Sequence, residues 1–205
     1  MRILGYGEDA LTLWAIKNKL DVILGTVGDL SDPSICQVFF RPSFGRSGGD
    51  TSPQFGEFDF IILSQNRLYL GESKWDRSSQ RLKDGVLELR AEQKRRHEIF
   101  KFYVEQWAFG SYSSWGEFTN KAKLQLNGIE RSLAPENSLL ASNLQTVLGV
   151  VRKYYASLPD IRNVLLYFHD GTTAEQLPQK ASEGFDLVCI DYSGDTLDNF
   201  IRIEM

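Results

Sequence analysis

The residues best placed to do chemistry in this chain are two carboxylates and a lysine on neighbouring extended segments. Gly56-Glu57-Phe58-Asp59-Phe60-Ile61-Ile62-Leu63 and Leu68-Tyr69-Leu70-Gly71-Glu72-Ser73-Lys74 read as two strands, rich in branched and aromatic residues and separated by a polar turn at Ser64–Arg67. A two-residue loop, Gln65-Asn66, sets a register in which Asp59 stands opposite Glu72 and Glu57 opposite Lys74. Cross-strand Cβ atoms lie about 5 Å apart, and alternate residues share a face. One face then carries Glu57, Asp59, Glu72 and Lys74 at one end, with Ile61, Leu63, Leu68 and Leu70 toward the turn. Carboxylates that close offer the hard oxygen ligands that Mg²⁺ takes. Lys74 beside them could hold a water or offset the charge of a phosphate. A slip of one residue would send Asp59 and Glu72 to opposite faces. The plainer reading is ion pairing on the wet face of a hairpin. Glu-x-Lys alone says little, because Glu92-Gln93-Lys94 repeats it. Charges that interrupt an apolar strand face, opposite an acidic neighbour, favour the metal site.

Gly56-Glu57-Phe58-Asp59 followed by Glu72-Ser73-Lys74 resembles the PD-(D/E)xK nuclease superfamily, which includes restriction endonucleases, Holliday-junction resolvases and RecB-type exonucleases. The resemblance spans about residues 5–107, more weakly 163–191, and departs at Phe58, where the pattern has Pro. It implies an α/β, restriction-endonuclease-like mixed central sheet flanked by helices, with Asp59 opening the second core strand and Glu72-Ser73-Lys74 on the third. Asp59 and Glu72 would be metal ligands, joined by Glu8 from the first helix. Lys74 would position the attacking water, and Gln93 would reach in from the helix that follows. The implied cofactor is Mg²⁺, with Mn²⁺ substituting, and the implied activity is a metal-dependent deoxyribonuclease acting on DNA. RNA is not set aside, and a homodimer is allowed for. The alternative is an inactive nuclease-fold module that binds nucleic acid or assembles with partners.

The elements that must position these residues follow from periodicity. An apolar stripe predicts a helix over 8–24, ended by Gly25 and Gly28. A strand follows over 35–44, then a glycine-rich loop at 45–53. A long helix is expected over about 79–107, with Val86, Leu89, Gln93, Phe100, Val104 and Trp107 on one face. Gln93 either bonds locally or faces the carboxylates, and Glu8 either serves the site or complements its helix dipole. Beyond it come a helical insertion at about 108–160 containing a helix over 137–157, a strand over 163–169, a short helix capped by Thr172 and Glu175, and a strand over 185–191. The whole reads as one domain, residues 1–205.

Between Arg77 and Lys101 fall eight basic and four acidic residues, a local +4 on a chain of net charge −4. Within it, Lys94, Arg95 and Arg96 are the candidate nucleic-acid contact, against the reading of a solvated helix face. Trp107, Phe109, Tyr112 and Trp115 could stack on bases but suit a core better, and His97 reads as a half-exposed structural histidine. Hydrophobic residues make up 42% and charged residues 24%, which excludes a disordered chain. Two distant cysteines, Cys36 and Cys189, exclude a disulfide framework or a cysteine zinc site and suit a reducing cytoplasm. Apolar runs of four or five residues predict no membrane span.

Overall fold

A computed structural model describes residues 1–45, 56–77, 82–126, 128–172 and 177–204. In chain order the elements begin β1 (Arg2–Gly5), α1 (Glu8–Asn18), α2 (Leu20–Thr26), β2 (Gln37–Phe40), β3 (Phe60–Leu63), β4 (Arg67–Trp75), β5 (Leu82–Lys83) and β6 (Val86–Leu87). They continue as α3 (Ala91–Tyr103), α4 (Trp115–Lys121), β7 (Leu124–Leu126), β8 (Ile129–Arg131) and α5 (Leu139–Tyr154). The last are β9 (Asp160–His169), β10 (Lys180–Ala181), β11 (Phe185–Asp191), β12 (Thr196–Leu197) and β13 (Phe200–Glu204). The fold is α/β with mixed sheets, as expected. No helix among the described residues is long and apolar enough to cross a membrane.

By compactness the chain divides into two units. The first comprises Met1–Phe40, Asp59–Leu89 and Arg162–Met205, and the second Arg41–Phe58 and Arg90–Ile161. In the first unit a five-stranded sheet runs β11-β9-β4-β3-β2. Its β2–β3 and β3–β4 pairs are antiparallel and its β9–β11 pair is parallel. The β3–β4 register is the one read from the sequence: Phe60 faces Gly71, Ile61 faces Leu70, and Leu63 faces Leu68. Ser64 closes the turn by donating its N–H to the Arg67 carbonyl at 3.0 Å. Phe60, Ile62 and Tyr69 join the core formed with Leu11, Trp14 and Ile23 of the two helices. Ile61, Leu63, Leu68 and Leu70 therefore lie on the other face by alternation, and they too are fully buried. Gly71 is needed here because a Cβ would meet the Phe60 ring at 2.0 Å.

Several expected boundaries move. The helix over 8–24 is broken at Lys19, whose backbone leaves helical geometry at φ −134°. The expected strand over 35–44 shortens to β2, because Arg41 takes a positive φ of 48°. The long helix over 79–107 starts only at Ala91, so Val86 and Leu89 leave its apolar stripe. Asp84 and Gly85, with φ of 51° and 76°, turn the chain tightly between β5 and β6. Asp-Gly at such a turn is a hairpin signal strong enough to override helical periodicity. The helix at Thr172–Glu175 and the loop over 45–53, beyond Thr172 and Gly45, lie outside the described residues. β1 and β13 join opposite ends of the chain, with Arg2 facing Glu204.

The hairpin carrying the carboxylates is pinned at its turn. Asp29, only 7% exposed, accepts from the Ser31 N–H and Oγ at 2.9 and 2.6 Å, from Ser64 Oγ at 2.6 Å and from Tyr69 Oη at 2.8 Å. Burial alone would raise its pKa, but these donors outweigh it and hold the carboxyl at about 2. Replacing Asp29 by Ala is expected to cost about 3 kcal/mol at pH 7 in urea unfolding, since buried donors lose a charged acceptor. A folded pKa below the unfolded one stabilises above about pH 4 and ceases to do so as pH falls through about 2. The gap between wild type and variant should narrow over that window.

The second unit is built on aromatic packing. Phe44, Phe58 and Phe100 meet at ring separations of 5.3–6.1 Å. His97 is 1% exposed and packs on Phe58 at 4.9 Å, so it is a core residue rather than a half-exposed one. Tyr103, Trp107, Trp115 and Phe118 pack on one another, and the indole of Trp115 donates to the Ala134 carbonyl at 2.8 Å. Tyr103, Trp115 and Phe118 are buried core, and Trp107 is half-buried against them. In α5, Ser138 caps the first turn by accepting from the Ala141 N–H at 3.1 Å. Leu140, Leu144, Val147, Leu148 and Val151 form its buried stripe.

Candidate active site

The described structure brings Glu8, Asp59, Glu72 and Lys74 together in the first unit. Glu72 lies on β4 and is 1% exposed. Asp59 immediately precedes β3, and its N–H donates to the Gly71 carbonyl at 3.2 Å. Its side chain accepts from the Ser73 N–H through Oδ2 at 2.7 Å. Oδ1 makes no hydrogen bond among the described residues. Burial pushes the Asp59 carboxyl up to about 7, the charge of Glu72 adds to the rise, and Glu8 contributes a little more. The Ser73 N–H and Lys74 oppose it. A carboxyl displaced this far by burial, with a second carboxyl adding to the rise, marks two acids held in one poorly solvated place.

Lys74 and Glu8 close the cluster. The Lys74 ammonium lies 3.3 Å from Glu8 Oε1 and also donates to the Ser73 carbonyl at 2.5 Å. Glu8 Oε2 accepts from the Trp75 N–H at 3.1 Å. Glu8 opens α1 at the position where an acid complements the helix dipole, and there both of its oxygens reach back to β4. It enters as the partner of Lys74. Among the described residues, no group of three or more His, Cys, Asp or Glu side chains is arranged to hold a metal ion. Asp59 and Glu72 are close enough for the charge of Glu72 to raise the Asp59 carboxyl. Mg²⁺ fits such a pair, because it commonly takes one or two protein carboxylates and completes its shell with water and phosphate oxygens.

The remaining candidates belong to the second unit. Glu57, expected opposite Lys74, instead pairs in a bridge with Ser43 and accepts from the Arg41 guanidinium at 2.6 Å. Gln93 occupies the third position of α3, where its Oε1 accepts from the Arg90 N–H at 3.2 Å and its own N–H donates to the Arg90 carbonyl at 3.0 Å. Lys94 and Arg95 line a cleft, whereas Arg96 turns away and places its guanidinium 5.3 Å from the Phe58 ring centre. Consecutive helical residues are about 100° apart, so three in a row do not share a face.

Two groups were not foreseen. Asp76, in phase with Glu72 and Lys74, accepts from Tyr192 Oη at 3.0 Å and from the Asp170 N–H at 2.8 Å, tying the end of β4 to the segments after β9 and β11. The alternation 72, 74, 76 is the signal that could have found it. Arg131 joins Lys94 and Arg95 at their cleft, and nothing in the local sequence announces that. No protein-family profile, curated protein or solved structure matches this chain.

Proposed function

We propose that this chain is a divalent-metal-dependent nuclease that hydrolyses phosphodiester bonds of DNA, with the restriction-endonuclease-like arrangement that the Asp59 and Glu72-Ser73-Lys74 pattern resembles. The observation that carries the reading is the juxtaposition of Asp59, Glu72 and Lys74 at one end of a strand pair. A salt-bridged wet face would leave these carboxylates solvated, yet Glu72 is buried and Asp59 is displaced toward neutrality. Asp59 and Glu72 would hold the cation, with Mg²⁺ natural and Mn²⁺ substituting. When bound, such an ion supplies a Lewis acid for the phosphoryl oxygen and lowers the pKa of a coordinated water. The Ser73 N–H fixes the Asp59 carboxylate and leaves Oδ1 available. Lys74, steered by Glu8 and the Ser73 carbonyl, offers a cation to the attacking water and to the charge that grows on the phosphate.

The test is incubation of labelled duplex, branched and single-stranded DNA, and of RNA, with Mg²⁺, with Mn²⁺ and with EDTA. Metal-dependent cutting of at least one DNA form is expected, and no cutting of any form with either metal would defeat the reading. Lys74→Ala is expected to lower kcat by about 100-fold with less than about threefold change in DNA affinity, since its interaction is strongest in the transition state. Equal losses of rate and affinity would reduce it to an ordinary phosphate contact. A second reading, an inactive nuclease-fold module, is favoured by the lack of a three-ligand group among the described residues. It requires that neither Mg²⁺ nor Mn²⁺ bind.

A further inference from the structure

The second unit contains a cleft of about 270 Å³ between α3 and the β7–β8 hairpin. Ala91, Lys94, Arg95 and Glu98 line one wall, at the three- and four-residue spacing that brings helical side chains to one face. Ile129 and Arg131, alternate residues of β8, line the other, with Leu126 paired to Ile129 across the hairpin. Glu130 between them is directed to the opposite face, where Lys123 lies 3.6 Å away. Three cations and one carboxylate thus surround an aliphatic floor, on a chain whose net charge is −4. The side chains of Lys94 and Arg95 make no ion pair or hydrogen bond among the described residues. Ile129 is half exposed, 52% of its surface being open to solvent.

We infer that this cleft holds an unpaired nucleotide of a DNA strand, which makes the substrate one with a single-stranded tail, flap or branch. The inference rests on the nuclease reading above for its choice of polyanion. A simple anion would need the cations but not the floor of Leu126 and Ile129. An unpaired nucleotide needs both, because its base presents an apolar face and its phosphate a charge. The planar guanidinium of Arg95 or Arg131 can also stack on a base. Bases in an intact duplex are stacked against one another and cannot enter. The volume is just below the range of about 300–1,000 Å³ usual for small-molecule pockets, which suits one nucleotide and not a long segment.

The experiment is fluorescence anisotropy in EDTA with three labelled DNAs: a blunt duplex, the same duplex carrying a ten-nucleotide single-stranded tail, and the tail alone. Wild type is expected to bind the tailed DNA about tenfold tighter than the blunt one. The Lys94→Ala/Arg95→Ala double variant should lose that preference, with a salt slope smaller by about 1.4, since each contact to a single-strand phosphate contributes about 0.7. Ile129→Gln should reduce the preference without changing the slope, which separates the floor from the charges. Equal binding of blunt and tailed DNA by wild type would overturn the inference. So would a double variant that keeps both preference and slope, or competition by inorganic phosphate or a poly-glutamate peptide as strong as that by the tail. Asp59→Ala should bind the tail like wild type. Loss of cleavage and loss of tail binding are therefore read separately, and either proposal can fail alone.

Discussion

Asp59→Ala and Glu72→Ala are each expected to lower the cleavage rate by about 10³-fold or more, equivalent to about 4 kcal/mol of transition-state stabilisation. Both remove an oxygen donor from the carboxylate pair that the proposed chemistry would use. The fold should survive, and in the metal-free protein it should gain. Burial pushes the Asp59 carboxyl upward and the charge of Glu72, itself only 1% exposed, adds to the rise, so removing either acid relieves a repulsion. Melting temperatures in EDTA should stay level or rise for both variants. A fall of several degrees in both would mark the two residues as structural partners and remove the metal site.

The second large effect is on the pH dependence of stability without metal. Asp59 is held at about 7 in the folded chain, against an ordinary carboxyl value of 3.8. A carboxyl with a raised folded pKa binds more protons folded than unfolded between those values. Stability therefore falls as pH rises from about 4 through about 7 and levels off above. Wild-type protein in EDTA should melt several degrees lower at pH 8 than at pH 5, because 1 kcal/mol is worth about 2–4 °C in a chain of this size. Asp59→Asn should flatten that descent, and the difference between the two proteins isolates Asp59 from the other titrating groups. Saturating Mn²⁺ should restore most of the loss at pH 8 in wild type and none in the variant. Parallel profiles for the two proteins would show that Asp59 is not held near neutrality.

The centre of the site was legible because a hairpin with one side buried leaves little freedom of register. Gln65-Asn66 closes the turn, and Phe60, Ile62 and Tyr69 must share the helix-covered face, so Asp59 and Glu72 fall on the other. What surrounds them depends on contacts that local sequence does not encode. Arg2 pairs with Glu204 across nearly the whole chain. Glu57 follows Ser43 and Arg41 rather than continuing the ladder beyond Asp59. The start of α3 is not legible in periodicity, because Val86 and Leu89 happen to fit helical spacing while Asp84-Gly85 imposes a turn that periodicity does not register. Lys94, Arg95 and Arg96 are consecutive in sequence and suggest one basic patch, but the helix separates Arg96 from the other two and a distant strand supplies Arg131 in its place.

The measurement that bears most directly on the central claim is calorimetric titration of Mn²⁺ into the metal-free protein near pH 7, with Asp59→Ala and Glu72→Ala as partners. One saturable site is expected in wild type, absent from both variants. Proton release on binding is expected as well, seen as a dependence of the heat on the buffer's ionisation enthalpy, because the cation must displace the proton that the crowded carboxyls retain. Absence of a saturable site in wild type, or a site that both variants keep, would contradict the central claim.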